Sequence, residues 1–225
     1  SRVNKPIQYV GGEHNSIVKE WQDADVRWVL MYPDAYEVGQ PNQGVAILYE
    51  VLNECDWILA ERTYSVWPDM EKHMRAAGIP QFTLDGHRPV RDFDIMSVSL
   101  STELGYTNML NAIDLAGIPV RQADRTDTDP IVLIGGHAAF NPEPVAGLID
   151  AAVLGDGEEA CLEISEIIRD WQKEGCPGGR ECLLVRFAAT GGIYVPCFYD
   201  VEYLDDGTIG KVAPNRLEAP YTVSK

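Results

Sequence analysis

One feature constrains this chain more than any other: short apolar runs of strand length alternate with amphipathic stretches of helix length. Val26–Met31 (VRWVLM) is a compact apolar strand, and Gly44–Asn53 (GVAILYEVLN) sets Val45, Leu48, Val51 and Leu52 at helical spacing. Trp57–Ser65 reads as a second strand, followed by a helix over Asp69–Ala77 that Gly78 and Pro80 end. Ile79–Leu84 reads as a short accessory strand. Ile95–Leu100 (IMSVSL) is the next main strand, with a helix over Tyr106–Ala116 behind it. Ile131–Ile134 and Ala151–Leu154 complete the strands, and Glu158–Lys173 is a long amphipathic helix. Strands and helices alternating in this way predict βαβ units and a parallel sheet covered on both faces. Five units fit the doubly wound order 2-1-3-4-5.

The flanks read differently. Residues 1–25 form an N-terminal arm with one short helix, Ser16–Trp21, and residues 26–175 hold the α/β pattern. Residues 176–225 carry a helix over Cys182–Ala188, then Gly192–Tyr203, which alternates at period two and reaches Asp206-Gly207, a strong hairpin signal. Ile209–Val212 is the expected return strand, and the Pro-containing tail reads as a linker. The first residue is Ser1 rather than methionine, which suggests an excised piece.

Charge and cysteine usage exclude several functions. The formal charge of −17 repels phosphate backbones, so neither nucleic acid nor an anionic membrane is an expected partner. No apolar run reaches the ~18–20 residues of a spanning helix, and the amino-terminal stretch lacks the apolar core of a secretory signal. Cys55, Cys161, Cys176, Cys182 and Cys197 are scattered, with no zinc or iron–sulfur spacing. A reduced, cytoplasmic location follows as the expectation. Phosphate-binding, dinucleotide and nucleophile-elbow motifs are also missing, so no complete catalytic apparatus is legible.

Ligands of doubly wound sheets bind outside the carboxyl ends of the strands. Loops 32–43, 99–105, 135–144 and 155–158 fall there. In the first, Asp34, Tyr36 and Gly39 have the outline of a ligand platform or of an Asp-capped turn. In the second, Ser99 and Ser101 offer hydroxyls to a ligand or to the following helix. In the third, Gly135 and Gly136 allow close backbone approach, and His137 is either a ligand-contacting or a structural histidine. In the fourth, carboxylates sit on a helix's first turn, where the dipole favours them and a phosphate is disfavoured.

Taken together, these loops resemble the D-x-H-x-x-G, S-x-L and G-G trio of cobalamin-binding domains, through D-A-Y-E-V-G, Ser99 and Gly135-Gly136. More specifically, YPDAYEVG, RDFDIMSVSLSTELGYTNMLNAIDLAGIP, GGHAAFNPEP and AAVLGDGEEA resemble the N-terminal, cobalamin-binding-type domain of a radical S-adenosylmethionine protein family. The likeness runs from about Tyr9 to GGIYVP, and NPEP followed by GDGEE is its more specific element. The resemblance implies a flavodoxin-like, Rossmann-like domain with a C-terminal hairpin extension, serving as accessory to a radical S-adenosylmethionine barrel. That barrel would hold a four-iron, four-sulfur cluster and S-adenosylmethionine, neither bound by this chain, whose sequence lacks C-x-x-x-C-x-x-C. Cobalamin is the cofactor implied here, with Asp34, Tyr36, Gly39, Ser99, Ser101, Gly135, Gly136 and His137 lining its site. Two departures stand out. Tyr36 occupies the histidine position and a neutral phenol is a poor cobalt ligand, while Ser101 replaces the leucine of S-x-L. Cobalamin would therefore bind without a protein histidine, or the domain keeps only the fold. A docking module with an empty site and a binder of another nucleotide cofactor are the alternatives.

Overall fold

The computed structural model describes residues 3–14 and 16–224; residues 1, 2 and 15 of the expected arm and residue 225 of the tail lie outside the described residues. The central sheet is built from β1 (Val26–Ala35), β2 (Ile58–Ser65), β3 (Ile95–Ser99), β4 (Ile131–Gly135), β5 (Ala151–Val153) and β6 (Ile193–Tyr194). Its order is β2-β1-β3-β4-β5-β6. The first five strands are parallel, in the order 2-1-3-4-5, which makes the domain a doubly wound α/β fold of Rossmann and flavodoxin type.

Side-chain parity along the strands separates two cores. Val26, Trp28 and Leu30 of β1, with Ile95, Leu133 and Val153, pack under α2 (Gln43–Glu54), α5 (Gly157–Lys173) and α6 (Gly179–Ala188), which follow α1, the single turn Tyr36–Gly39. Val29, Met31, Val98 and Ile134 face the other way, where α4 (Tyr106–Leu115) contributes Met109 and Ile113. α3 (Pro68–Ala77) lies beside α4, joined to it through Arg75, which contacts Asn111 and Asp114. Across the first face, the buried Trp28 indole donates to Ser165 Oγ at 2.8 Å, and that hydroxyl donates to the Cys161 carbonyl. The sheet and α5 are thereby tied by a polar pair inside an apolar layer, with every donor used.

At the amino edge of the sheet Asp150 is fully buried. Its carboxylate accepts from Arg125, Arg180 and the Val132 amide, each at 2.7 Å. This network sits at the end of the sheet opposite the loops expected to bind a ligand.

The structure corrects the sequence reading in five places. A sixth strand, β6, adds to the expected five-stranded sheet and runs antiparallel to β5, with Ala152 opposite Tyr194. It covers what would be an open edge beside the core. The expected long strand from Gly192 therefore splits: the 3₁₀ turn Pro196–Phe198 separates β6 from β7 (Tyr199–Tyr203), which pairs with β8 (Ile209–Pro214) as a separate hairpin. β1 runs on to Ala35, through Pro33, where a register shift leaves no amide to satisfy. Residues 79–84 make only an isolated bridge, Phe82 to Pro89. Residues 16–20 are not helical, because Lys19 reaches the carbonyls of Asn53, Cys55 and Ile58, each at 2.7 Å, and holds the arm across the end of α2. Among the described residues, no helix is long and apolar enough to cross a membrane.

Candidate functional site

A cleft of about 400 Å³ opens at the carboxyl ends of β3, β4 and β5, between the amino-terminal turns of α2 and α5. Strand parity builds it. On the α2–α5 face β3 presents Ile95 to the core, then Ser97 and Ser99, so the apolar layer stops where the hydroxyls begin. Leu133, Val153 and Cys161 close the floor, and Leu48 and Gly157 form the walls. Asn42 caps α2 by accepting from the Val45 amide at 3.0 Å.

Of the residues expected at a site, Ser99, Ser101, Gly135, Gly136 and His137 line this cleft. The two glycines differ. Gly136 has φ +91°, and a Cβ there would lie 2.6 Å from the Leu100 carbonyl oxygen, so the backbone crossing itself requires glycine. Gly135 has no positive φ, and a Cβ on it would meet no atom within 4 Å. Nothing in the fold requires glycine at 135; its missing side chain leaves cleft volume.

Asp34, Tyr36 and Gly39 are not among the cleft-lining residues. Asp34 is exposed, and its carboxylate accepts from the Ala35 amide. The single turn of α1 swings Tyr36 toward the β2 edge. There its ring meets Tyr64 edge-on, with centroids 5.7 Å apart, and its hydroxyl donates to Glu13 of the arm at 2.8 Å. Desolvation, and then the Glu13 carboxylate, push the Tyr36 phenol up to about 12. Gly39 is where the Tyr64 ring packs; any Cβ would overlap it. Beside it, Glu37 pairs with Lys5 at 2.5 Å, which holds its carboxyl down to about 2. The loop after β1 is thus a fastening for the arm, and the phenol is spent on it.

Sequence reasoning missed Ser97 and Asn42. Both were legible: Ser97 shares a face with Ser99 by period two, and Asn42 has cap chemistry ahead of a helix. Among the described residues, no cluster of three or more His, Cys, Asp or Glu is arranged to hold a metal ion. Among the described residues, the five cysteines form no disulfide.

Comparison with curated proteins and with solved structures yields no match. Residues 44–196, about two thirds of the chain, match a family described as radical SAM proteins, N-terminal, and that family implies a radical SAM domain as partner. The match spans α2 and the three sheet-edge loops of the cleft, and the chain belongs to this N-terminal domain family of radical SAM proteins.

Proposed function

We propose that this domain is the accessory ligand-binding unit of a radical SAM protein, and that its cleft holds a cobalamin with no protein histidine beneath the cobalt. The observation that carries the reading is Gly135: at a strand end, beside a cleft of ligand size, a side chain is missing where the backbone does not require it. Ser99, Gly135 and Gly136 would flank an elongated group such as the nucleotide arm of a corrinoid, so the cleft half of the site fits. The axial half does not, because Tyr36 is committed to Glu13 and Tyr64. When bound, the cofactor would bring a redox-active cobalt to the carboxyl edge of the sheet.

Hydroxocobalamin titration followed by gel filtration tests this. The chain should retain the corrinoid with a spectrum lacking histidine ligation, and Gly135→Leu should release it while circular dichroism stays unchanged. A wild type that retains no corrinoid, or a Gly135→Leu variant that retains it equally, refutes the reading.

A second reading is favoured by a different observation. The loops of the same edge expose Val38, Trp67, Leu104 and Phe140, with Leu104 87% exposed. As a docking module the domain would bury these against the radical SAM domain and leave the cleft empty. Replacing Leu104 and Phe140 with serine should then abolish association between the two domains; unchanged association would count against docking here.

A further inference from the structure

The seam between the N-terminal arm and the β2 edge encloses a second, much smaller cavity, of about 20 Å³. Gln8 from the 3₁₀ turn Pro6–Tyr9 lines it on one side and Ser65, the last residue of β2, on another. Among the described residues only four buried side-chain polar atoms lack a hydrogen-bond partner, and two of them, Gln8 Oε1 and Ser65 Oγ, belong to this one wall. Gln8 is 3% exposed. Its amide nitrogen donates to the Glu37 carboxylate, which fixes the orientation of the group and leaves the carbonyl oxygen as the unmatched end.

The neighbouring polar side chains are engaged elsewhere. Thr63 Oγ1 donates to the Phe82 carbonyl at 2.7 Å and accepts from Gln81 Nε2 at 2.8 Å. Gln81 Nε2 also donates to the Tyr64 carbonyl at 2.9 Å, so both of its hydrogens are used. The Tyr64 and Tyr36 hydroxyls donate to Gln40 and Glu13, at 2.6 and 2.8 Å. A buried carbonyl oxygen and a buried hydroxyl left unmatched each carry a desolvation cost. Cavities that stay empty in proteins are apolar, whereas a polar one with room for a water sphere, roughly 10–15 Å³, takes a water.

We infer that this cavity is a binding site for one buried water, which donates to Gln8 Oε1, hydrogen-bonds Ser65 Oγ and so stitches the arm to the sheet edge. The volume admits a single water and nothing larger. No Asp, Glu, His or Cys is in the wall, so a bare cation would find no counter-charge there. Gln8 offers only an acceptor, while the Ser65 hydroxyl can accept or donate, so one water satisfies both. The arm is then held at three points: the Lys5–Glu37 pair and the Glu13–Tyr36 bond at its surface, and the water beneath its 3₁₀ turn. This inference is independent of what the cleft at the carboxyl edge binds.

A crystal structure of the whole chain at a resolution that shows ordered water tests it. One density peak should lie about 2.7–3.2 Å from both Gln8 Oε1 and Ser65 Oγ. Crystals grown in rubidium chloride separate the occupants, because a monovalent cation gives an anomalous signal there and a water does not. In solution, Gln8→Leu and Ser65→Ala should each speed chymotrypsin cleavage at Tyr9 several-fold. The double variant should be cut no faster than the faster single one, because either change releases the same water. No peak, a peak that touches only one of the two oxygens, a direct bond between the two side chains, an anomalous signal, or single-variant rates that multiply in the double variant each overturns the inference. The crystal needs no variant, so a substitution that prevents folding leaves the test intact.

Discussion

Gly135 and Gly136 are neighbours in sequence, and the structure predicts opposite outcomes for the same substitution. At Gly136 the backbone has φ +91° and ψ −175°, a region open essentially to glycine alone. It is held there because the Leu100 amide donates to Gly135 and the Ala138 amide donates back to Leu100, at 2.8 and 3.0 Å. Gly136→Ala therefore costs about 1–3 kcal/mol in backbone strain. The Cβ at 2.6 Å from the Leu100 oxygen adds to that, since a backbone atom cannot step aside. At Gly135 neither term exists. Alanine removes conformational freedom from the unfolded chain only, which stabilises by about 0.4–1 kcal/mol.

For a domain of this size, ~2–4 °C accompanies each kcal/mol. Gly135→Ala should raise the melting temperature by roughly 1–4 °C, and Gly136→Ala should lower it by roughly 4–10 °C. Urea melts followed by circular dichroism give both values on the same scale. A Gly135→Ala variant destabilised by more than about 1 kcal/mol would refute the reasoning, because some protein atom must then occupy the space assigned to the cleft. A harmless Gly136→Ala would refute the crossing geometry instead.

Asp150→Asn should cost about 3–5 kcal/mol, or roughly 10 °C, because Arg125 and Arg180 are left buried without their counter-charge; thermal melts read this, and a loss below about 1 kcal/mol would count against it. Burial raises the Glu61 carboxyl in β2, against the opposing help of its Thr83 partner, so its ionisation works against the fold. The stability it supports is present below the ordinary glutamate range and lost as pH rises above that range through the raised folded value, and Glu61→Gln should flatten that fall in urea melts. Tyr36→Phe should remove a phenol that titrates near 12 in alkaline absorbance scans and speed proteolysis within the arm. The bond's contribution is present below about pH 10 and disappears as pH rises through about 12.

The fold was largely legible because its signal is local. Period-two runs such as IMSVSL and helical runs such as GVAILYEVLN each match one layer of the doubly wound sheet. What the sequence hid was decided by distant partners. Lys19 leaves residues 16–20 extended by bonding carbonyls some 34–39 positions away, and no local pattern announces that. Tyr36 looked like a ligand-facing ring because its position in D-A-Y-E-V-G is right, yet Glu13 and Tyr64 set its direction. Ser97 was the opposite case: its face was fixed by the parity that placed Ile95 and Ser99, and attention to strand ends alone passed it over.

The position of the cleft follows from chain order. Right-handed crossovers carry α2, between β1 and β2, to one face, while the connections from β3 to β4 and from β4 to β5 cross on the other. Only after the last parallel strand does the chain return to the face of α2, with α5 and then α6. α2 and α5 meet there, with a Leu48 methyl against Gly157, but above the ends of β3 and β4 no helix fills the layer. In most sheets of this order larger side chains could close such a gap as core. Here Ser97, Ser99 and Gly135 are the residues that topology brings to it, and all are small. The fold therefore supplies the gap, and three side-chain choices keep it open, which is why the experiments on this protein belong at 97 and 135 rather than at the tyrosine of the first loop.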